Sequence, residues 1–119
     1  MTADPFTDRL GRVRDRFATT LAGKIEETCA SIPNLSEASP AAANAVAEAY
    51  RCVHGIVGVG PTVGFPASGH AAHDVEGMLR PAQLQRRGLT ADEILRLTQT
   101  LEVLREIAAR ELQSFHPLP

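Results

Sequence analysis

The sequence predicts an all-α protein, an antiparallel up-down bundle of four helices, and three observations predict it. Hydrophobic residues make up 44% of 119 positions, with four Phe, one Tyr and no Trp. That suffices for one core built from small and aliphatic side chains, which favours packed helices over sheets. Apolar residues recur at three- and four-residue steps in four separate stretches. Helix starts are marked by Asp4-Pro5, by Ser39-Pro40 and by Thr90-Ala91-Asp92-Glu93, the last with capping-box spacing. One domain over residues 1–119 follows, with helices at about 5–32, 40–60, 66–81 and 90–113.

In the first helix Phe6, Leu10, Val13, Phe17, Leu21, Ile25 and Ile32 form the apolar stripe, which stops near Pro33. Asn34 to Ser39 reads as a polar connection. The second helix is alanine-rich and carries Val46, Val53, Ile56 and Val57. Gly60 to Pro66 breaks it and supplies a new start, after which Ala67, Ala71, Ala72, Val75, Met78, Leu79 and Ala82 share a face. This third helix is expected to end around Pro81 to Ala82, and Gln83 to Leu89 to form a surface loop. Ile94, Leu97, Leu101, Leu104 and Ala108 form the fourth stripe, suited to shallow-angle packing. Ser114 to Pro119 is expected to be a short tail.

Several function classes lose support at once. The net charge is −2 from 14 acidic and 12 basic residues, with no long run of either sign, so no nucleic-acid partner is expected. Cys29 and Cys52 have neither zinc-knuckle nor disulfide-scaffold spacing and read as reduced core residues. Met1 to Arg16 mixes Asp and Arg without an apolar run of signal-peptide length, and a cytoplasmic location is the expectation. The uncharged stretch from Cys52 to His73 has the length of a membrane span. Its glycines, prolines and histidines would leave polar groups unsatisfied in lipid, so no membrane association is expected.

One segment does not fit a plain bundle. The second helix ends Val53-His54-Gly55-Ile56-Val57-Gly58-Val59-Gly60, and each glycine inside a helix costs about 0.5–1 kcal/mol relative to alanine. A chain so free with alanine could have used it here, which points to a need for bare backbone. Gly58 lies one turn beyond His54 on the same face and leaves room for another molecule to approach the imidazole. Close helix packing, or a strand over Cys52 to Val59, would be the blander explanations. The third helix adds His70, His73 and Glu76, with Arg80 four residues after Glu76. Across a turn at 61–65, His54 and Glu76 differ in axial height by roughly 6 Å, which leaves their contact open.

At these residues the chain resembles the histidine-containing phosphotransfer (HPt) domain family, whose pattern is His-x-x-Lys-Gly followed by a glycine and an aromatic or aliphatic residue. Here it reads His54-Gly55-Ile56-Val57-Gly58, then Val63-Gly64-Phe65. His73-Asp74-Val75-Glu76 is similar to the His-x-x-Glu of the phosphotransfer domains of chemotaxis kinases. The resemblance is strongest over residues 50–80. It implies a phosphorelay carrier that accepts a phosphoryl group on His54 from a receiver-domain aspartate and passes it on. Glu76 would hold the imidazole tautomer, with His73 beside the site.

By the same resemblance, the partners would be a response-regulator receiver domain and a hybrid histidine kinase. No cofactor is expected in the bundle itself, the receiver supplying Mg²⁺, and no ATP-site pattern suggests kinase activity of its own. The docking patch would comprise Val57, Gly58, Val59 and Phe65, edged by Arg51 and Arg80. Val57 stands where the family has lysine, and Arg51 or Arg80 could supply the missing charge. Two other readings compete: a receiver-docking module that has lost transfer, and a metal-binding bundle using His70, His73 and Glu76 with His54 or Cys52. His70 and His116 otherwise read as solvated residues.

Overall fold

The computed structural model describes residues 5–115, and those residues are all-helical. Helix α1 spans Pro5–Ala30, a single turn α2 Ile32–Leu35, α3 Ala42–Val59, α4 Pro66–Gln85 and α5 Ala91–Gln113, with a 3₁₀ turn over Gly60–Val63 between α3 and α4. The alternative of a strand at Cys52 to Val59 is therefore excluded. Helix α3 packs along α4 and α4 along α5, while α1 lies against both α3 and α5. Phe17, Leu21 and Ile25 meet Val46, Val53, Ile56, Val75, Leu79, Leu97, Leu101 and Leu104 in one core. No helix among the described residues is long and apolar enough to cross a membrane.

The expected stripes hold on α3 and α5 and over most of α4, where Ala67 and Met78 are exposed, but that of α1 is only half used. Phe6 is 70% exposed and Leu10 and Val13 also face outward, so the buried part of the stripe begins at Phe17. Periodicity identifies the apolar face of a helix; it does not say how far the neighbouring helices cover it. Asp4, the expected cap, lies outside the described residues, as do His116 and the residues that follow it.

Three connections differ from expectation. Helix α4 runs through Pro81 to Gln85, because one proline removes one intrahelical bond while packing on both sides holds the helix together. It ends at Arg86, which takes the left-handed conformation at φ 52°. The loop after it is not wholly superficial. Leu89 is fully buried; its N–H donates to the Leu35 carbonyl at 2.7 Å, and its carbonyl accepts from Glu37 N–H at 2.9 Å. Leu35, in the stretch expected to be a polar connection, is buried beside it. Gly88 permits this approach, since a Cβ there would lie 2.6 Å from the Glu37 Cα.

The end expected to be a tail also takes part, because Phe115 packs on Phe65 with ring centroids 5.6 Å apart. The start of α4 is capped from a distance: the Glu111 carboxylate accepts from the backbone N–H of Ala67 at 3.1 Å and of Ser68 at 2.6 Å. A carboxylate is favoured there by the unpaired N–H groups and the helix dipole.

The capping box of α5 is present as its spacing predicts. Glu93 N–H donates to Thr90 Oγ1, and the Glu93 carboxylate accepts from Thr90 N–H and, through both oxygens, from Arg87 at 2.7 and 3.1 Å. The Arg87 guanidinium, followed by the Thr90 backbone, pulls the Glu93 carboxyl down from 4.5 to about 2. A depressed carboxyl contributes stability that is present above its unfolded value and disappears as pH falls through the folded one. Glu93→Ala is therefore expected to cost about 0.5–2 kcal/mol at pH 7. In thermal unfolding the gap to the parent protein should narrow as pH falls from about 4.5 towards 2; a gap independent of pH would contradict this assignment.

Candidate functional site

The 3₁₀ turn prolongs α3 by one short segment, and Gly64 at φ 94° then reverses the chain into α4. The reversal is thus centred at Gly64 and Phe65. His54 and Glu76 stand the same number of residues from Phe65, which removes the axial offset that a turn at 61–65 implied. Their side chains meet: His54 Nδ1 lies 2.6 Å from Glu76 Oε2.

The two partners sit in very different surroundings. The Glu76 side chain is 4% exposed, whereas that of His54 is 64% exposed. A carboxylate so placed accepts from the ring N–H at Nδ1 and leaves Nε2 with the lone pair in the neutral imidazole. Among the described residues Nε2 has no hydrogen-bond partner. The second carboxylate oxygen, Oε1, accepts from Arg80 Nη2 at 2.8 Å. Tyr50, one turn before His54 on α3, stacks its ring on the imidazole with centroids 5.9 Å apart and planes 9° from parallel. The neighbouring Tyr50 hydroxyl, more than Glu76, pushes the Arg80 guanidinium above its ordinary range.

The glycines beside His54 separate into two kinds. A Cβ at Gly55 or Gly58 would meet nothing within 4 Å, so close packing inside the protein does not require either. Gly60 is a packing glycine, since a Cβ there would lie 3.2 Å from the Phe65 carbonyl oxygen and 3.4 Å from Phe17. Gly58→Ala is accordingly expected to raise stability by about 0.5–1 kcal/mol in chemical denaturation, through helix propensity alone. A loss of stability would show that the residue is packed after all.

The other candidate residues are placed as follows. Arg51 and Gly58 are exposed, and Val59 is 38% exposed at the end of α3. Val57, at the position where the HPt pattern has lysine, is half-buried and packs on the core. Phe65 does not join an exposed patch. It is 1% exposed, held between Phe17 and Phe115, and thus supports the turn from inside.

His73 is exposed. It lines a shallow groove between α4 and α5 with Met78 and Val103, whereas Glu76 on the same helix reaches α3. His70 is exposed. Among the described residues no three His, Cys, Asp or Glu side chains gather as a metal-holding group. Cys29 and Cys52 are free and half-buried, and burial pushes the Cys29 thiol up against the pull of Arg105.

Sequence reasoning missed Tyr50 altogether. The available signal was its spacing of four residues from His54, the same spacing that joins Glu76 to Arg80 on the opposite helix. Two such pairs on facing helices build the site. The chain matches no protein-family model, and searches of curated proteins and of solved structures return no similar protein.

Proposed function

We propose that the protein is a phosphocarrier of the histidine-containing phosphotransfer type, with its long helices α1, α3, α4 and α5 acting as the family's up-down four-helix bundle. The observation that carries this reading is a single imidazole, largely exposed, whose inner nitrogen is tied to a buried carboxylate while its outer nitrogen is unpartnered. That arrangement orients a nucleophile in advance and leaves its reacting atom accessible. The bare backbone at Gly55 and Gly58 supports it, because those glycines answer no packing need within the chain.

In the reaction the Nε2 lone pair attacks the phosphorus of an aspartyl phosphate on a receiver domain. The N–P bond forms as the bond from phosphorus to the aspartate oxygen breaks, and the carboxylate departs with that electron pair. The ring gains positive charge in this step. Glu76, holding Nδ1–H, stabilises that charge without taking the proton. Transfer to a second receiver is the same displacement in reverse. The receiver's acidic pocket and Mg²⁺ would handle the phosphoryl charge, so the bundle needs no lysine at Val57 to complete the chemistry.

The docking surface in this reading comprises Arg51, Gly55, Gly58 and Val59, around His54. The test is incubation of the purified protein with receiver domains carrying labelled aspartyl phosphate, followed by a check for acid-labile, base-stable label on the protein. Transfer to this chain is the expected result. Binding of receivers without label would favour a docking module that has lost transfer, as Val57 in place of lysine would suggest; neither binding nor label would overturn both.

A further inference from the structure

The role proposed for His54 leaves two side chains unexplained, Tyr50 and Arg80. Glu76 presents a carboxylate with a side chain only 4% exposed, and a buried charge is costly unless its oxygens are paired. His54 occupies one oxygen and Arg80 the other. The Tyr50 ring lies parallel to the imidazole on the same helix. Tyr50, His54, Glu76 and Arg80 thus form a run of successive contacts across α3 and α4, each helix contributing a pair at i and i+4.

We propose that Arg80 is a positioning residue that favours the nucleophilic form of His54 by sharing the charge of Glu76. The proposal rests on the phosphocarrier reading for its biological meaning, but its physical content is independent of it. A carboxylate facing the imidazole alone would favour the doubly protonated ring, which has no lone pair to attack with. A guanidinium on the far oxygen opposes this in two ways: it draws off part of the carboxylate's charge, and its own positive charge stands near the ring. A guanidinium suits the task, because it stays charged at every pH at which the imidazole titrates.

The charged and titratable groups to be considered around the imidazole come from two helices. Helix α4 supplies Glu76 and Arg80, and α3 supplies Tyr50 and the exposed Arg51 one turn earlier. Helix α1 meets α3 on another side, where Cys52 lies 3.8 Å from both Thr28 Oγ1 and the Lys24 carbonyl.

The test is an NMR titration of the imidazole nitrogens in the full chain, with the His54 signals assigned by their loss in His54→Gln. In Arg80→Met the pH at which the His54 signals change over should rise by roughly half a pH unit or more. Arg80→Lys should restore most of the difference. Thermal unfolding of the same variants gives the contrast. An ion pair that serves only to stabilise α4 would lower the melting temperature and leave the changeover where it was, and that result would overturn the proposal. Because the titration reads the ring directly, it decides the matter whether or not the protein takes label from a receiver; failure to take label counts against the phosphocarrier reading alone.

Discussion

Replacing His54 with glutamine is expected to abolish phosphoryl acceptance completely while the fold survives. The imidazole is 64% exposed and contributes little packing, and a glutamine amide can still donate to the Glu76 carboxylate, so no buried charge is left without partners. The melting temperature should stay within a few degrees of the parent, because a shift of about 1 kcal/mol corresponds to about 4 °C in a domain of this size. Binding to a receiver should persist, since the surrounding surface at Arg51, Gly58 and Val59 is unaltered. The check is label transfer at equal concentrations of parent and variant, with circular dichroism to confirm the helices. Residual acid-labile label on the variant would place the acceptor elsewhere.

Phe65→Ala is the largest structural perturbation expected. The ring is 1% exposed, with Phe17 at 5.2 Å and Phe115 at 5.6 Å between centroids, and it lies directly after the reversal that brings His54 and Glu76 together. Truncating a buried phenylalanine costs about 3–5 kcal/mol, a large share of the roughly 5–15 kcal/mol that holds a domain folded. The backbone bonds of residue 65, from its N–H to the Gly60 carbonyl and from Gly69 N–H to its own carbonyl, do not depend on the side chain. The reversal should therefore form but be poorly supported. The prediction is a fall in melting temperature of roughly 10–20 °C, with Phe65→Leu losing much less. A melting temperature close to the parent's would show that this ring does not support the core.

The helices were legible because their punctuation is local. The Thr90 to Glu93 box announces the start of α5 correctly, whereas α3 begins at Ala42, two residues beyond the Ser39-Pro40 signal and without a side-chain cap, and the structure buries most of the stripes of α3, α4 and α5. What was not legible depends on partners distant in sequence. The Glu111 carboxylate caps α4 from the other end of the chain, Leu35 and Leu89 bury each other's neighbourhood, and Phe65 and Phe115 meet only after folding. Phe6, Leu10 and Val13 share a stripe with Phe17 but lack its cover.

At the site, His54 and its open glycines stood out because they oppose helix propensity, and Glu76 came with the resemblance. Tyr50 did not stand out, since an aromatic ring at i−4 is ordinary in a helix. His73 and Glu76 are neighbours in sequence yet reach different helices, because three residues along a helix still separate side chains by about 60° around its axis.

The central claim is that the outer nitrogen of one oriented imidazole receives the phosphoryl group. Phosphorus–nitrogen correlation NMR on the phosphorylated protein tests it most directly. The account predicts one phosphorus, bonded to Nε2 of His54, with the Nδ1 proton still held by Glu76. Phosphorus on Nδ1 of that ring, or on any other histidine of the chain, would contradict it.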